Sequence, residues 1–160
     1  MLSVQLLCVG KMKEKFYIEG AAEYVKRLGA YCKLTVTELP EERLPENPSP
    51  AQIEGALEKE GNAILAKIPK GSKVVALCVE GKTMSSEKLA EAVDGWAVQG
   101  ASQLTFLIGG SYGMHESVKK RADLRLSMSP MTFPHHLARV MVLEQIYRAF
   151  KINEGSSYHK

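Results

Sequence analysis

Apolar and polar positions along the chain switch repeatedly between the two periods that distinguish strands from helices. Residues 3–9 form a short apolar run closed by Gly10, which reads as a buried strand. From about Glu14 to Leu28 the apolar residues recur at helical spacing, with Phe16, Ile18, Ala21, Ala22, Val25 and Leu28 available for an inner face. Residues 33–39 predict a second strand, and the proline-rich stretch 40–50 has no period and reads as a surface loop. Ser49 followed by Pro50 is a helix start, a capping hydroxyl before a first-turn proline, and the helix runs to about Lys67 with Ile53, Leu57, Ile64 and Leu65 inward.

After the turn Pro69-Lys70-Gly71, KVVALCVE at 73–80 is the most hydrophobic strand, so it is expected to be central, buried on both faces and closed by Gly81. Ser85 and Ser86 can cap a helix to Val98 in which Leu89, Ala92, Val93 and Trp96 share a face. A strand at 104–108, a short helix from near His115, a strand at 123–128 and a last helix from His135 to about Lys151 complete the chain. Strictly alternating strands and helices imply an α/β fold, a mostly parallel sheet with helices covering both faces. With 160 residues and no linker or repeat, residues 1–160 are expected to be a single domain.

Two loops stand out for chemistry. Gly109-Gly110-Ser111-Tyr112-Gly113 follows one strand, and Ser129-Pro130-Met131-Thr132-Phe133-Pro134 follows the next; two prolines keep the second out of a helix, and Pro134 suits the first turn of the last one. Glycines of this kind provide either a turn or close backbone approach to a ligand. In a parallel sheet both loops open on the same edge, where open α/β sheets bind ligands. The last helix carries Leu137, Val140, Met141, Leu143, Ile146, Tyr147 and Phe150 over a wide arc, which predicts a homodimer packed through it. The tail 153–160 is polar and expected to fray.

A composition of 45% hydrophobic and 24% charged residues is that of a soluble globular protein, and no apolar run is long enough to span a membrane, nor does the start resemble a secretory signal. A cytoplasmic location is expected. Cys8, Cys32 and Cys78 are far apart, so neither a disulfide framework nor a metal site is implied. Residues 101–160 hold eight Lys or Arg against four acids, whereas residues 1–100 hold thirteen against fourteen. The basic excess accompanies the two loops and fits a polyanion such as RNA as well as it fits a solvated face. Lys11, Lys13 and Lys15 form a second cluster in the first turn, open to the same two readings; that turn has one glycine where a dinucleotide fold has three.

IGGSYG after a strand, LSMSPMTFPHHLARVMVLEQIYRAFKI and a terminal SSYHK, with LLCVGKMKEKF and YVKRLG earlier, resemble the large-subunit rRNA pseudouridine N3-methyltransferases, small members of the SPOUT superfamily. The resemblance covers essentially the whole chain. It implies a C-terminal trefoil knot (the SPOUT α/β knot), an obligate homodimer, and S-adenosyl-L-methionine bound at Leu77, Gly109 and the loop Met128, Ser129, Pro130, Met131, Thr132 and Phe133. It also implies a 23S rRNA substrate in the assembled ribosome, methylated at N3 of a pseudouridine, with no metal. Tyr158 and His159 are then expected to reach the partner's cofactor site, with His135 and Arg139 as phosphate contacts or site organisers; His136 matches the family pattern less well than His135. Pro130 and the terminal Lys160 depart from the family's usual residues. Two rivals remain at this level: a phosphate-binding enzyme using the 109–113 turn, which lacks a P-loop ending, and a ribosome-binding protein without catalysis.

Overall fold

The computed structural model describes residues 1–160. Five strands, β1 (Ser3–Val9), β2 (Lys33–Leu39), β3 (Lys73–Thr83), β4 (Gln103–Ile108) and β5 (Leu124–Ser127), alternate with five helices. These are α1 (Lys15–Leu28), α2 (Pro50–Lys67), α3 (Ser86–Val98), α4 (Glu116–Arg121) and α5 (His135–Asn153). The strand order is β2-β1-β4-β3-β5 and every pairing is parallel. Helices cover both faces, as the alternation implies. Leu6, Phe106, Leu143 and Ile146 anchor a core that α1, α3 and α5 share, while Leu7, Leu107, Ile64 and Val118 anchor the smaller core under α2 and α4.

Local chemistry accounts for the boundaries. Ser49 Oγ accepts from Gln52 N–H while Gln52 Oε1 accepts from Ser49 N–H, a reciprocal cap that fixes the start of α2. Ser85 caps α3 in the simpler one-way form. Pro134 sits as the residue before α5 rather than in its first turn.

Three expectations are corrected. Gly81 does not end β3: the strand pairs β5 through Leu77, slips, and resumes at Lys82 and Thr83, so Cys78, Val79, Glu80 and Gly81 bulge past the sheet edge. A Cβ on Gly81 would lie 2.8 Å from the Arg125 carbonyl, so the glycine lets two backbones touch. The inner face of α1 is Ala21, Tyr24 and Leu28, whereas Phe16, Ile18 and Val25 point to solvent, with Phe16 66% exposed. The tail does not fray: after Gly155 at φ +76°, Ser156 N–H donates to Lys151 O, Tyr158 packs edge-on against Tyr147, and the Arg148 guanidinium lies over the Tyr158 ring.

Helix α5 crosses between α1 and α3 and buries Arg139, Val142, Leu143, Ile146 and Ala149 within its own chain. Of the wide apolar arc, Leu143 and Ile146 are therefore covered without a partner, while Leu137, Val140, Met141, Tyr147 and Phe150 stay half-buried. No helix is long and apolar enough to cross a membrane.

Candidate functional site

Because the sheet is parallel, the loops after β1, β3, β4 and β5 emerge along one edge, and those after β3, β4 and β5 enclose a cavity of about 660 Å³. Leu77, Gly109, Met128, Ser129, Met131, Thr132 and Phe133 line it, as does His135 from the first turn of α5. Pro130 is exposed and does not reach the cavity. The bulge contributes Cys78, Val79 and Glu80, a wall that strand periodicity did not announce; a glycine inside an otherwise unbroken strand was its only signal. Glu80 pairs with Lys119 at the rim, and this partner holds its carboxyl below the usual range. A smaller cavity of about 250 Å³, floored by Met84, Met141 and Gln145, adjoins through Leu77, Leu126 and Met128.

The loops are ordered by their own polar groups. Ser127 Oγ donates to Ser129 O and Ser129 Oγ accepts from Met131 N–H, which shapes the proline-broken segment. In the glycine turn Gly113 N–H donates to Gly110 O, with Gly113 at φ +87°. Gly109 is required for a reason other than ligand approach. A Cβ there would sit 2.4 Å from Gly113 O and 2.7 Å from Met114 Cγ, so the chain itself fills that space. Gly109→Ala is expected to destabilise the fold by about 2–3 kcal/mol through forced overpacking, read as a fall in Tm. An unchanged Tm would mean that the turn yields freely.

The start of α4, just after the turn, has few free amides. Helix α4 has six residues, and Ser117 N–H is already taken by His115 Nδ1, whose Nε2 reaches Glu54 Oε1 at 2.7 Å. These groups leave the first turn of α4 closed to an anion.

His135 is half-buried against the cavity, and burial, followed by the neighbouring His136, lowers its pKa from the ordinary value; Glu41 opposes the shift. The ring is thereby biased toward its neutral form. The His136 ring packs edge-on against it, centroids 4.3 Å apart, with its Nδ1 3.4 Å from Glu14 Oε2. Arg139, only 2% exposed, points inward: Nη1 pairs with Glu38 and Nη2 donates to Gly10 O at 2.9 Å. Both ends of its guanidinium are engaged, so it organises the site edge and offers no face to a polyanion. Tyr158 and His159 are not at this cavity. His159 donates from Nε2 to Glu87 Oε1 at 2.6 Å and accepts at Nδ1 from Arg148 at 3.0 Å, thirteen residues along α5 from His135, about 20 Å of helix.

The family model described as "Predicted SPOUT methyltransferase" matches residues 2–159. The chain belongs to the SPOUT methyltransferase family. Among curated SPOUT relatives, a protein called "Ribosomal RNA large subunit methyltransferase H" from Listeria monocytogenes serotype 4a (strain HCC23) is 48% identical over 159 residues, covering 99% of this chain and 100% of its own. The protein of the same description from Listeria welshimeri serovar 6b is likewise 48% identical with the same coverage. A solved structure of "a probable methylase family protein" from Haemophilus influenzae Rd KW20 superposes with TM-score 0.55 at 16% identity, over 100% of this chain and 72% of that one. At that identity the likeness concerns the fold alone. In this SPOUT chain the cavity and the tail lie at opposite ends of α5.

Proposed function

We propose that this chain is an S-adenosyl-L-methionine-dependent rRNA methyltransferase that acts as a knotted homodimer and methylates N3 of a pseudouridine in 23S rRNA, on the assembled ribosome in the cytoplasm. The observation that carries the reading is the carboxyl-edge cavity. About 660 Å³, bounded by Leu77, Met128, Met131 and Phe133 and by the peptide groups of two loops, suits an adenine nucleoside, which needs apolar walls and a few backbone hydrogen bonds. Full-length relatives described as large-subunit rRNA methyltransferases support the substrate.

When bound, S-adenosylmethionine supplies a methyl carbon already activated by its sulfonium, so this chain's residues need only bind, orient and manage one proton. The imide N–H of the acceptor must lose its proton as N3 attacks. His135, kept neutral by burial in the cavity wall, has a nitrogen lone pair to receive it. The tail supplies what one chain lacks. With both ring nitrogens of His159 engaged by Arg148 and Glu87, His159 is an anchor, and it holds Tyr158 ready at the far end of α5 to meet a partner's cavity. Ile18 and Val25, left exposed on one side of α1, supply apolar surface that a second copy would cover.

Calorimetric titration with S-adenosylmethionine tests the donor site, beside Thr132→Trp, which fills the cavity from an exposed position that tolerates bulk. Micromolar binding by the wild type and at least a hundredfold loss in the variant are expected, roughly 3 kcal/mol. If the variant binds as well as the wild type, this cavity is not the donor site. Transfer of labelled methyl to unmethylated ribosomes then separates an enzyme from a non-catalytic ribosome binder.

A further inference from the structure

A group of charges that the proposed reaction leaves unused lies between β1 and α1. There the chain alternates between pinned and free residues. Gly10 donates its N–H to Leu39 O and accepts from Arg139 through its carbonyl. Met12 is 8% exposed, and its N–H donates to Glu38 Oε2 at 3.0 Å. Glu14 reaches the His136 ring. Lys11, Lys13 and Lys15, in between, all project into solvent. Neither Lys11 nor Lys13 has a carboxylate within 4 Å, and Lys15 has only Glu19 at 3.7 Å in a solvent-exposed pair.

We propose that Lys11 and Lys13, backed by Lys15, form a rigid comb that grips the phosphate backbone of ribosomal RNA beside the catalytic cavity. That RNA is the partner rests on the methyltransferase reading; the comb itself rests on geometry. The acids nearest to it are occupied: Glu38 by Arg139 and the Met12 amide, Glu14 by His136, and Glu41 turns toward the Ser111 amide. Folding has already fixed the backbone of the segment, so a phosphate gained there costs only lysine side-chain entropy. The position is apt as well, since the His135 ring that lines the cavity lies 3.6 Å from where a Gly10 Cβ would stand. Lysines make such contacts as point charges, without sequence readout, which matches a surface that holds register while the pocket selects the base.

The test compares full-length wild type, Lys11→Gln/Lys13→Gln, and a control of equal charge change, Lys67→Gln/Lys70→Gln, at the opposite edge of the sheet where β3 begins. Affinity for unmethylated large ribosomal subunits is read by co-sedimentation across a salt series, independently of methyl transfer. The comb variant is expected to bind about tenfold more weakly near 0.15 M salt, with the slope of log affinity against log salt smaller by about one per lysine. The control should keep the wild-type affinity and slope, and all three proteins should melt together. Unchanged affinity and slope in the comb variant, or an equal loss in the control, would overturn the comb while leaving the methyltransferase reading intact. A photoreactive group carried at position 13 should crosslink to RNA; crosslinking to ribosomal protein instead would also overturn it. Wild-type methyl transfer in the same preparations reports separately on the enzyme.

Discussion

A chain ending at Gly155 is expected to bind S-adenosylmethionine as the full protein does, yet transfer methyl to ribosomes roughly a hundred- to a thousandfold more slowly, the scale of losing a positioned group at the reacting centre. The reason is the distance between cavity and tail along one helix. Ser156, Tyr158 and His159 pack on Lys151, Tyr147, Arg148 and Glu87, far from His135, so their removal leaves the donor cavity whole. If the tail serves the other subunit, mixing tail-less chains with Thr132→Trp chains should restore activity that neither has alone. Random pairing gives half heterodimers, each with one good site of two, so about a quarter of wild-type activity should return. Full activity in the truncated chain would end the tail's role, and failure to complement would confine each site to one subunit.

Arg139→Ala should be the most damaging single substitution outside the apolar core. Breaking a buried pair leaves the other charge uncompensated; because Glu38 stays partly in water, the loss falls at the lower end of the range, about 3 kcal/mol, or a Tm drop of roughly 6–12 °C for a chain of this size. Arg139→Lys should recover only part, since an ammonium cannot span Glu38 and the Gly10 carbonyl together. The pH dependence follows from Glu38. Burial works against its ionisation, but the Met12 amide and Arg139 outweigh that and hold its pKa below the ordinary 4.5. A carboxyl depressed by folding contributes stability that is present above its unfolded value and lost as pH falls through the folded one. Wild-type Tm should therefore drop as the solution is taken below about pH 4.5, and the Arg139→Ala protein should show a smaller acid-dependent drop. Thermal melts at pH 7 and pH 4 check both; a variant melting within a degree or two of wild type at neutral pH would remove the clamp.

Much of this molecule was legible from periodicity because many of its elements carry a local boundary signal, such as the Ser49 cap, Gly10 and the Pro-broken loop at 129–134. The joint opening of the glycine turn and the proline-broken loop on one edge was legible too, since a parallel sheet leaves no alternative. What could not be read has a common cause. The slip in β3 depends on Arg125 backbone lying against Gly81, a contact across 44 positions that no local pattern encodes. Glu60, an acid on α2, is buried where it accepts from the Glu42 amide, and burial raises its pKa. The outward face of α1 was misassigned because Phe16, Ile18 and Val25 are as apolar as a core face; only the placement of α5 shows which side is covered. Arg139 read equally as a phosphate contact or a site organiser because charge carries no label of direction; its guanidinium points inward.

The bond from Arg139 to Gly10 joins positions 129 residues apart. A polypeptide made from its amino end therefore exposes the β1–α1 segment long before the residue that fastens it exists. Until α5 has been synthesised and docked, the cavity also lacks its His135 wall. Products of interrupted translation that stop short of α5 should be inert toward donor and ribosome alike, and competence should arrive in one late event.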